Sequence, residues 1–167
     1  MGLFSKKTPE EKQLKKESSV AFLGESLQPI GKIPAGKCVG LSLKPADQVL
    51  NIHYDKTDIT LPYDRIRGFR LEDEVTLAKS GSGLGGAIVG GALFGGAGAI
   101  VGQNAKKGKT NVKWVGTLSY EDKEGNPQTL SFIQWAYKGE TKDWVGLKFE
   151  NTINEIVSRY SEDITEL

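Results

Sequence analysis

Apolar and polar residues alternate along several short segments in the first half of the chain. In the first of them Val39, Leu41 and Leu43 alternate with other residues, and turn-forming residues at 44–47 and 55–58 separate the segments that follow. A period of two is that of a strand with one face in a core, and turns between such strands indicate antiparallel pairing. The apolar positions of the later segments are Leu50, Ile52, Tyr54, Ile59, Leu61, Tyr63, Phe69, Leu71, Val75 and Leu77.

The pattern changes in the last third of the chain. Trp114, Leu118 and Tyr120 share one face of a further strand, a turn follows at 121–127, and residues 130–137 form another strand. Apolar residues then recur at roughly helical spacing: Trp144, Phe149, Ile153, Ile156, Val157, Tyr160 and Ile164. An amphipathic helix must bury its apolar stripe against another element. The predicted fold is α+β and mostly β, an antiparallel barrel or sandwich capped by the C-terminal helix.

The first seventeen residues combine a basic segment with a helix start. Residues 8–11, Thr-Pro-Glu-Glu, offer a hydroxyl cap, proline at the first helical position and glutamate three residues after the cap. We expect a short helix from here to Glu17. Leu3 and Phe4 offer a weak lipid anchor, but a solvated terminus is the simpler interpretation.

One segment, residues 83–102, inserts twenty uncharged residues between the predicted strands. Nine are glycine and four are alanine, and on a helix these small residues stack in rows four positions apart. Glycine costs an exposed helix roughly 1 kcal/mol relative to alanine, so such rows are typical of helices that pack closely, usually in lipid. The residues expected to make membrane or self-association contacts are Gly86, Gly90, Gly91, Phe94, Gly95, Gly98 and Gly102.

Both ends of this segment should lie on the same side of a membrane, because strands of one sheet precede and follow it. Lys79 precedes the segment, and Lys106, Lys107 and Lys109 follow it, which favours contact with lipid headgroups or an acidic partner. Residues 83–102 therefore predict a helical hairpin that lies shallowly in a leaflet or packs against other copies of the chain. A mobile glycine-rich loop in water is the alternative.

These patterns describe one β domain with an insertion, which fits a chain of 167 residues. Residues 1–17 form the N-terminal segment, and 18–78 and 111–167 form the two parts of the β domain. Residues 79–110 form the glycine-zipper insertion. Within the first part of the domain, residues 18–36 show no clear period.

Two sequence runs carry a family resemblance. Residues 50–54, Leu-Asn-Ile-His-Tyr, and 59–66, Ile-Thr-Leu-Pro-Tyr-Asp-Arg-Ile, form a strand, a turn and a strand that ends in a Leu-Pro-Tyr motif. Together with the C-terminal helix, they resemble the pleckstrin-homology-like (PH-like) fold in its bacterial and phage versions, which often carries a glycine-zipper insertion. Only Lys32 and Lys37 are basic in the first hairpin, so the resemblance does not extend to phosphoinositide binding.

The net charge and the cysteine content limit the classes of binding partner and the cellular compartment that we expect. The formal net charge of +1 gives no overall preference for nucleic acid. Cys38 is the only cysteine, so an intramolecular disulfide cannot form, and the first residues lack the apolar core of a secretory signal. We expect a cytoplasmic protein, with the inner face of the plasma membrane as its candidate place of action.

Motifs for nucleotides and metals are incomplete in this sequence. Residues 81–86 match GxGxxG, but the neighbouring strands are predicted to be antiparallel and no acidic residue follows at the spacing of a dinucleotide site. Residues 102–110 resemble a phosphate loop with one residue too many. His53 is the only histidine and cannot complete a zinc site with Cys38, so a structural role is expected. We therefore expect no cofactor, no metal and no catalytic residues.

Two charged clusters also have simple interpretations. Residues 72–74, Glu-Asp-Glu, offer a cation site, but a solvated strand edge is favoured. Arg65, Arg67 and Arg70 offer contacts to phosphate headgroups or to an acidic partner, but scattered solvated arginines are favoured.

Taken together, these features predict a non-enzymatic scaffold or adaptor module. Its glycine-zipper hairpin would contact membrane lipid or form a homo-oligomer, and a further protein partner would fit the same role. The alternative is a soluble PH-like module that binds a peptide or a small ligand, with the glycine-rich segment as a flexible loop.

Overall fold

The computed structural model describes residues 6–73, 114–134 and 144–162. Within these ranges the chain forms two α-helices, seven strands and one 3-10 turn. In chain order they are α1 (Pro9–Ser18), β1 (Ala21–Ser26), β2 (Cys38–Lys44), β3 (Val49–Tyr54), β4 (Thr57–Pro62), the 3-10 turn (Tyr63–Arg65), β5 (Ile66–Asp73), β6 (Trp114–Glu121), β7 (Pro127–Gln134) and α2 (Trp144–Glu162).

All seven strands belong to one antiparallel sheet with the order β4-β3-β2-β1-β7-β6-β5. The first four strands form one meander and the last three form another. Pairing of β1 with β7 joins them, with Gly24 opposite Gln134 and Ser26 opposite Phe132. The predicted antiparallel, mostly β architecture is confirmed.

Of the two predicted forms, barrel or sandwich, closure into a barrel is not observed, because β4 and β5 do not pair in the part of the chain that the structure describes. Side chains of α2 occupy the outer edge of β5 instead. Asn154 Oδ1 accepts a hydrogen bond from Phe69 N at 3.2 Å, and Asn154 Nδ2 donates to Phe69 O at 3.1 Å. Glu150 Oε2 accepts from Leu71 N at 3.1 Å. The edge strand therefore meets helical side chains and not another strand.

The predicted period of two accounts for β2, β3 and β4. Val39, Leu41 and Leu43 of β2 point into the core, and Leu50 and Ile52 of β3 lie beside them. Each of these side chains is at most 3% exposed, which is what one buried sheet face requires.

The strand β1 was missed because its inward positions are not all apolar. Phe22, Gly24 and Ser26 point inward, whereas Leu23 points outward and is 56% exposed. A side chain at position 24 would not fit, since a Cβ there would lie 2.8 Å from the Cβ of Phe132. Close packing therefore requires glycine at position 24, and this glycine interrupts the apolar alternation by which a strand is recognised in a sequence.

The C-terminal helix α2 covers the inner face of the sheet, as its helical spacing predicted. Phe149, Ile153 and Ile156 are fully buried. The Phe149 ring packs edge-on against Phe69 of β5, with 4.9 Å between ring centroids, and also lies 5.7 Å from Phe22 of β1. The apolar stripe of α2 therefore completes the core.

The N-terminal helix α1 begins as its sequence predicted. Thr8 Oγ1 accepts a hydrogen bond from Glu11 N, and the Glu11 carboxylate accepts one from Thr8 N, which is a complete capping box. Glu17 is the buried residue of this helix, and Leu14 remains 43% exposed. Hence α1 lies on the surface of the domain and adds little to its core.

Candidate functional site

A groove of about 600 Å³ lies where α1, the β2–β3 turn, the 3-10 turn and the C-terminal part of α2 meet. The side chains that line it come from all four elements: Glu10, Gln13, Leu14, Glu17, Pro45, Gln48, Tyr63, Arg159 and Tyr160. Its volume falls within the range of about 300–1,000 Å³ that is usual for small-ligand sites.

A buried carboxylate lies on one side of this groove. Glu17 is 2% exposed, and its Oε1 accepts hydrogen bonds from Arg159 Nη2 at 2.5 Å and from Gln13 Nε2 at 2.7 Å. Arg159 itself is 49% exposed. The pair joins α1 to α2, and its desolvation falls mainly on the carboxylate side because the guanidinium still meets water.

Tyr63 contributes a phenol that is unusual for its burial. The residue is 2% exposed, and its hydroxyl has no hydrogen-bond partner within the described residues. Burial raises the pKa of the Tyr63 phenol, the Glu17 charge raises it further, and Arg159 opposes the change. The phenol therefore remains protonated and carries an unused O–H donor.

Backbone contacts fix the position of this tyrosine. Tyr63 N donates to Gln48 O at 2.9 Å, and Gln48 has a φ of 54°, in the left-handed region that glutamine rarely adopts. The Tyr63 ring packs edge-on against Tyr160, with 6.4 Å between centroids. The β2–β3 turn and α2 thus hold the phenol against the groove.

The predicted structural histidine lies elsewhere, on the outer face of the β3–β4 hairpin. His53 Nδ1 lies 2.8 Å from Asp58 Oδ1, and Asn51 Nδ2 donates to the same oxygen at 2.9 Å. The hydrogen bond from Asn51, followed by that from His53, lowers the pKa of the Asp58 carboxyl. His53 therefore has a partner within its own hairpin, as expected for a structural side chain.

The arginines considered as headgroup contacts are mostly engaged near β5. Arg67 Nη2 lies 2.7 Å from Glu121 Oε2, and Arg65 Nε donates to the backbone oxygen of Glu121 at 2.9 Å. Arg70 forms a longer ion pair of 3.6 Å with Glu72. The two contacts with Glu121 tie the 3-10 turn and β5 to the end of β6, whereas the pair of Arg70 with Glu72 lies within β5.

The 72–74 cluster is only partly described, since Glu74 lies outside the described residues. Within the described ranges no group of three or more His, Cys, Asp or Glu side chains is arranged to hold a metal ion.

The sheet brings together the two ends of the predicted insertion. Asp73, the last residue of β5, pairs directly with Trp114, the first residue of β6. Described strands of one sheet therefore stand directly before and after the forty residues 74–113, at neighbouring positions. That both ends of residues 83–102 lie on the same side of a membrane stays a prediction.

The predicted contact residues themselves lie outside the described residues. They are Lys79, Gly86, Gly90, Gly91, Phe94, Gly95, Gly98, Gly102, Lys106, Lys107 and Lys109. The helical-hairpin prediction for 83–102 falls outside for the same reason.

Comparison of the chain with known protein families, with curated proteins and with solved structures finds no match. Of the helices that the structure describes, none combines the length and the apolar character that crossing a membrane requires.

The groove was not predicted, because its residues are distant in sequence. Glu17 and Arg159 are 142 positions apart and meet only after α1 and α2 pack together. A weak signal was present in α1, where Glu17 lies one turn after Leu14 and so shares its face. Tyr63 matched an apolar strand position, and nothing in the pattern distinguished its hydroxyl.

Proposed function

We propose that the chain is a non-enzymatic PH-like module that acts as a scaffold at a membrane surface, which it contacts through residues 83–102 and the flanking lysines. The observation that carries this proposal is the pairing of Asp73 with Trp114. A segment that starts and ends at adjacent positions of one sheet can enter a leaflet as a hairpin while the sheet stays outside it.

The strand order supports the PH-like part of the proposal. A meander of four strands is joined through β1 and β7 to a meander of three, and a C-terminal helix packs on the inner face. The sequence resemblance implies short antiparallel strands closed by one C-terminal helix, and both features are present.

Composition supports the membrane part. The segment has no charge, whereas Lys106, Lys107 and Lys109 follow it closely. Basic residues near an anionic surface contribute about 1 kcal/mol each, and the apolar side chains between the glycines supply the buried area.

The experiment is flotation with vesicles of phosphatidylethanolamine and phosphatidylglycerol. The full chain is compared with a variant in which Asn-Gly replaces residues 74–113. Since Asp73 and Trp114 are paired, a two-residue turn can close β5 onto β6, and the variant should keep its circular dichroism and its melting temperature. We expect the full chain to float and the Asn-Gly variant to remain in the dense fraction.

A second variant separates lipid from self-assembly. Gly90→Leu with Gly98→Leu raises the apolar character of the segment but blocks close packing of backbones. Flotation that persists in this variant supports the membrane as partner. If the full chain forms an oligomer without vesicles and the leucine variant does not, the partner of residues 83–102 is a second copy of the chain and not lipid. Equal recovery of the full chain and the Asn-Gly variant, both monomeric and neither floating, would refute the proposal.

A further inference from the structure

We propose that the groove between α1 and α2 binds a short, uncharged peptide segment through one backbone carbonyl and one apolar side chain. The inference rests on described residues alone and is independent of the role proposed for residues 83–102. It gives the binding-module alternative a location and a ligand chemistry.

The groove contains a buried hydrogen-bond donor that has no partner among the described residues. The Tyr63 hydroxyl is buried, remains protonated, and has no partner in the described part of the chain. Arg159 uses Nη2 to bind Glu17, and its guanidinium, 49% exposed, remains accessible to water and to a ligand. Buried donors are normally satisfied, so the Tyr63 hydroxyl favours a ligand that brings a hydrogen-bond acceptor.

The charges that line the groove distinguish among possible acceptors. Glu10 and Glu17 line the groove with two negative charges, against the one positive charge of Arg159. A carboxylate or phosphate entering here would lie near the buried Glu17 charge, and the described residues that line the groove include no second cation to offset it. A cationic ligand would bring more donors to a site that already has unused ones. A neutral carbonyl satisfies the donors without either conflict.

The groove also presents apolar surface that a ligand could cover. Leu14 is 43% exposed although it faces the groove, and Pro45 and Tyr160 provide further apolar surface. An apolar side chain beside the carbonyl would cover this surface. The Tyr63 hydroxyl is buried in the free protein, so binding requires exposed side chains that line the same groove, such as Leu14 and Arg159, to move aside.

The test is an NMR titration of the full, ¹⁵N-labelled chain with the capped peptide acetyl-Ala-Leu-Ala-amide. We expect saturable shifts that cluster at the amides of Gln13, Leu14, Gln48 and Tyr160. Acetyl-Ala-Leu-Ala with a free carboxylate and acetyl-Ala-Lys-Ala-amide should both bind more weakly.

Tyr63→Phe keeps the ring and removes the unused hydroxyl, so the fold should be retained. Loss of one neutral hydrogen bond should weaken binding roughly two- to tenfold. Tyr120→Phe is the matched control, because Tyr120 is a partly buried tyrosine on β6 that does not line the groove. It should bind as the unchanged chain does. Leu14→Ser, at an exposed position, should weaken binding independently of Tyr63.

Several results would overturn the inference. They are a titration that does not saturate, shifts outside the groove, and equal affinity for the unchanged chain and Tyr63→Phe. Tighter binding of the peptide with a free carboxylate would show that the groove prefers an anion to a neutral carbonyl. Tighter binding of the lysine peptide would show that it prefers a cation.

Discussion

The two helices that pack on the sheet are held by different kinds of contact. The C-terminal helix α2 places Phe149, Ile153 and Ile156 in the core with 0% of their surface exposed. The N-terminal helix α1 buries the carboxylate of Glu17, while its apolar Leu14 stays 43% exposed. One helix is attached by apolar area and the other mainly by charge.

Magnitudes show how unequal these attachments are. Fully burying a Phe or Ile side chain is worth about 1.5–3 kcal/mol, and α2 does this three times with the residues named above. An exposed ion pair such as that of Lys16 with Glu155 contributes about 0–1 kcal/mol. A helix of ten residues is also marginal by itself in water. Thus α2 is part of the domain core, and we expect α1 to separate from it locally at lower free energy than α2.

This difference bears on the groove, because α1 forms one of its walls. Glu10, Gln13, Leu14 and Glu17 all come from α1, whereas Arg159 and Tyr160 come from the firmly held α2. A wall that opens at low free energy admits a ligand without disturbing the sheet.

The largest effect should come from Phe149→Ala in α2. Removing a fully buried aromatic ring leaves a cavity between β1 and β5, and the expected loss of unfolding free energy is about 3–5 kcal/mol. Urea denaturation monitored by circular dichroism measures it. Val145→Ala on the same helix is the control, since Val145 is 50% exposed and should change stability by less than about 0.5 kcal/mol. Similar effects of the two variants would mean that α2 is not part of the core.

A smaller loss is expected from Asn154→Ala, which removes the two hydrogen bonds to the backbone of Phe69. Each hydrogen bond contributes about 0.5–1.5 kcal/mol, so the free energy of unfolding should fall by about 1–3 kcal/mol. Amide exchange at Phe69 should also become faster, because the β5 edge loses its cover. Ser158→Ala, which removes a bond within α2 alone, should leave that amide unchanged. Unchanged exchange in Asn154→Ala would show that α2 does not protect the edge.

The sequence patterns recovered what depends on local period and missed what depends on packing. The strands containing Val39 and Leu50 and the helix containing Phe149 follow from apolar spacing. The strand β1 does not, because Gly24 faces inward where the Phe132 and Phe22 side chains and the Ile133 backbone oxygen leave no room for a Cβ. The groove does not follow from the apolar spacing either, because Glu17 and Arg159 meet only when two helices that are distant in sequence pack together.

The third effect concerns the buried carboxylate of α1. Glu17→Gln keeps the size of the side chain but removes the charge that Arg159 binds. Because Arg159 is 49% exposed and regains water, the cost should be about 1 kcal/mol, below the usual range for charged hydrogen bonds. Native-state hydrogen exchange should show faster exchange in α1 and no change at Ile153 in α2.

Glu10→Gln removes an exposed carboxylate of the same helix, which also lines the groove, and serves as the matched control, with a smaller change expected. Equal loss of protection in α1 and α2 of Glu17→Gln would contradict the separation of the two helices. It would mean that the Glu17–Arg159 pair belongs to the cooperative core.

The smallest effect should come from the second contact between the helices, the pair of Lys16 Nζ with Glu155 Oε2 at 2.9 Å. The two side chains are 47% and 50% exposed, so a double-mutant cycle with Lys16→Ala and Glu155→Ala should give a coupling of at most about 1 kcal/mol. In about 1 M salt, where the screening length is about 3 Å, the coupling should fall towards zero. A larger coupling that survives such salt would require a desolvated pair. In that case α1 would be fixed to α2 by charge as firmly as α2 is fixed by its apolar stripe, and the groove would have two rigid walls.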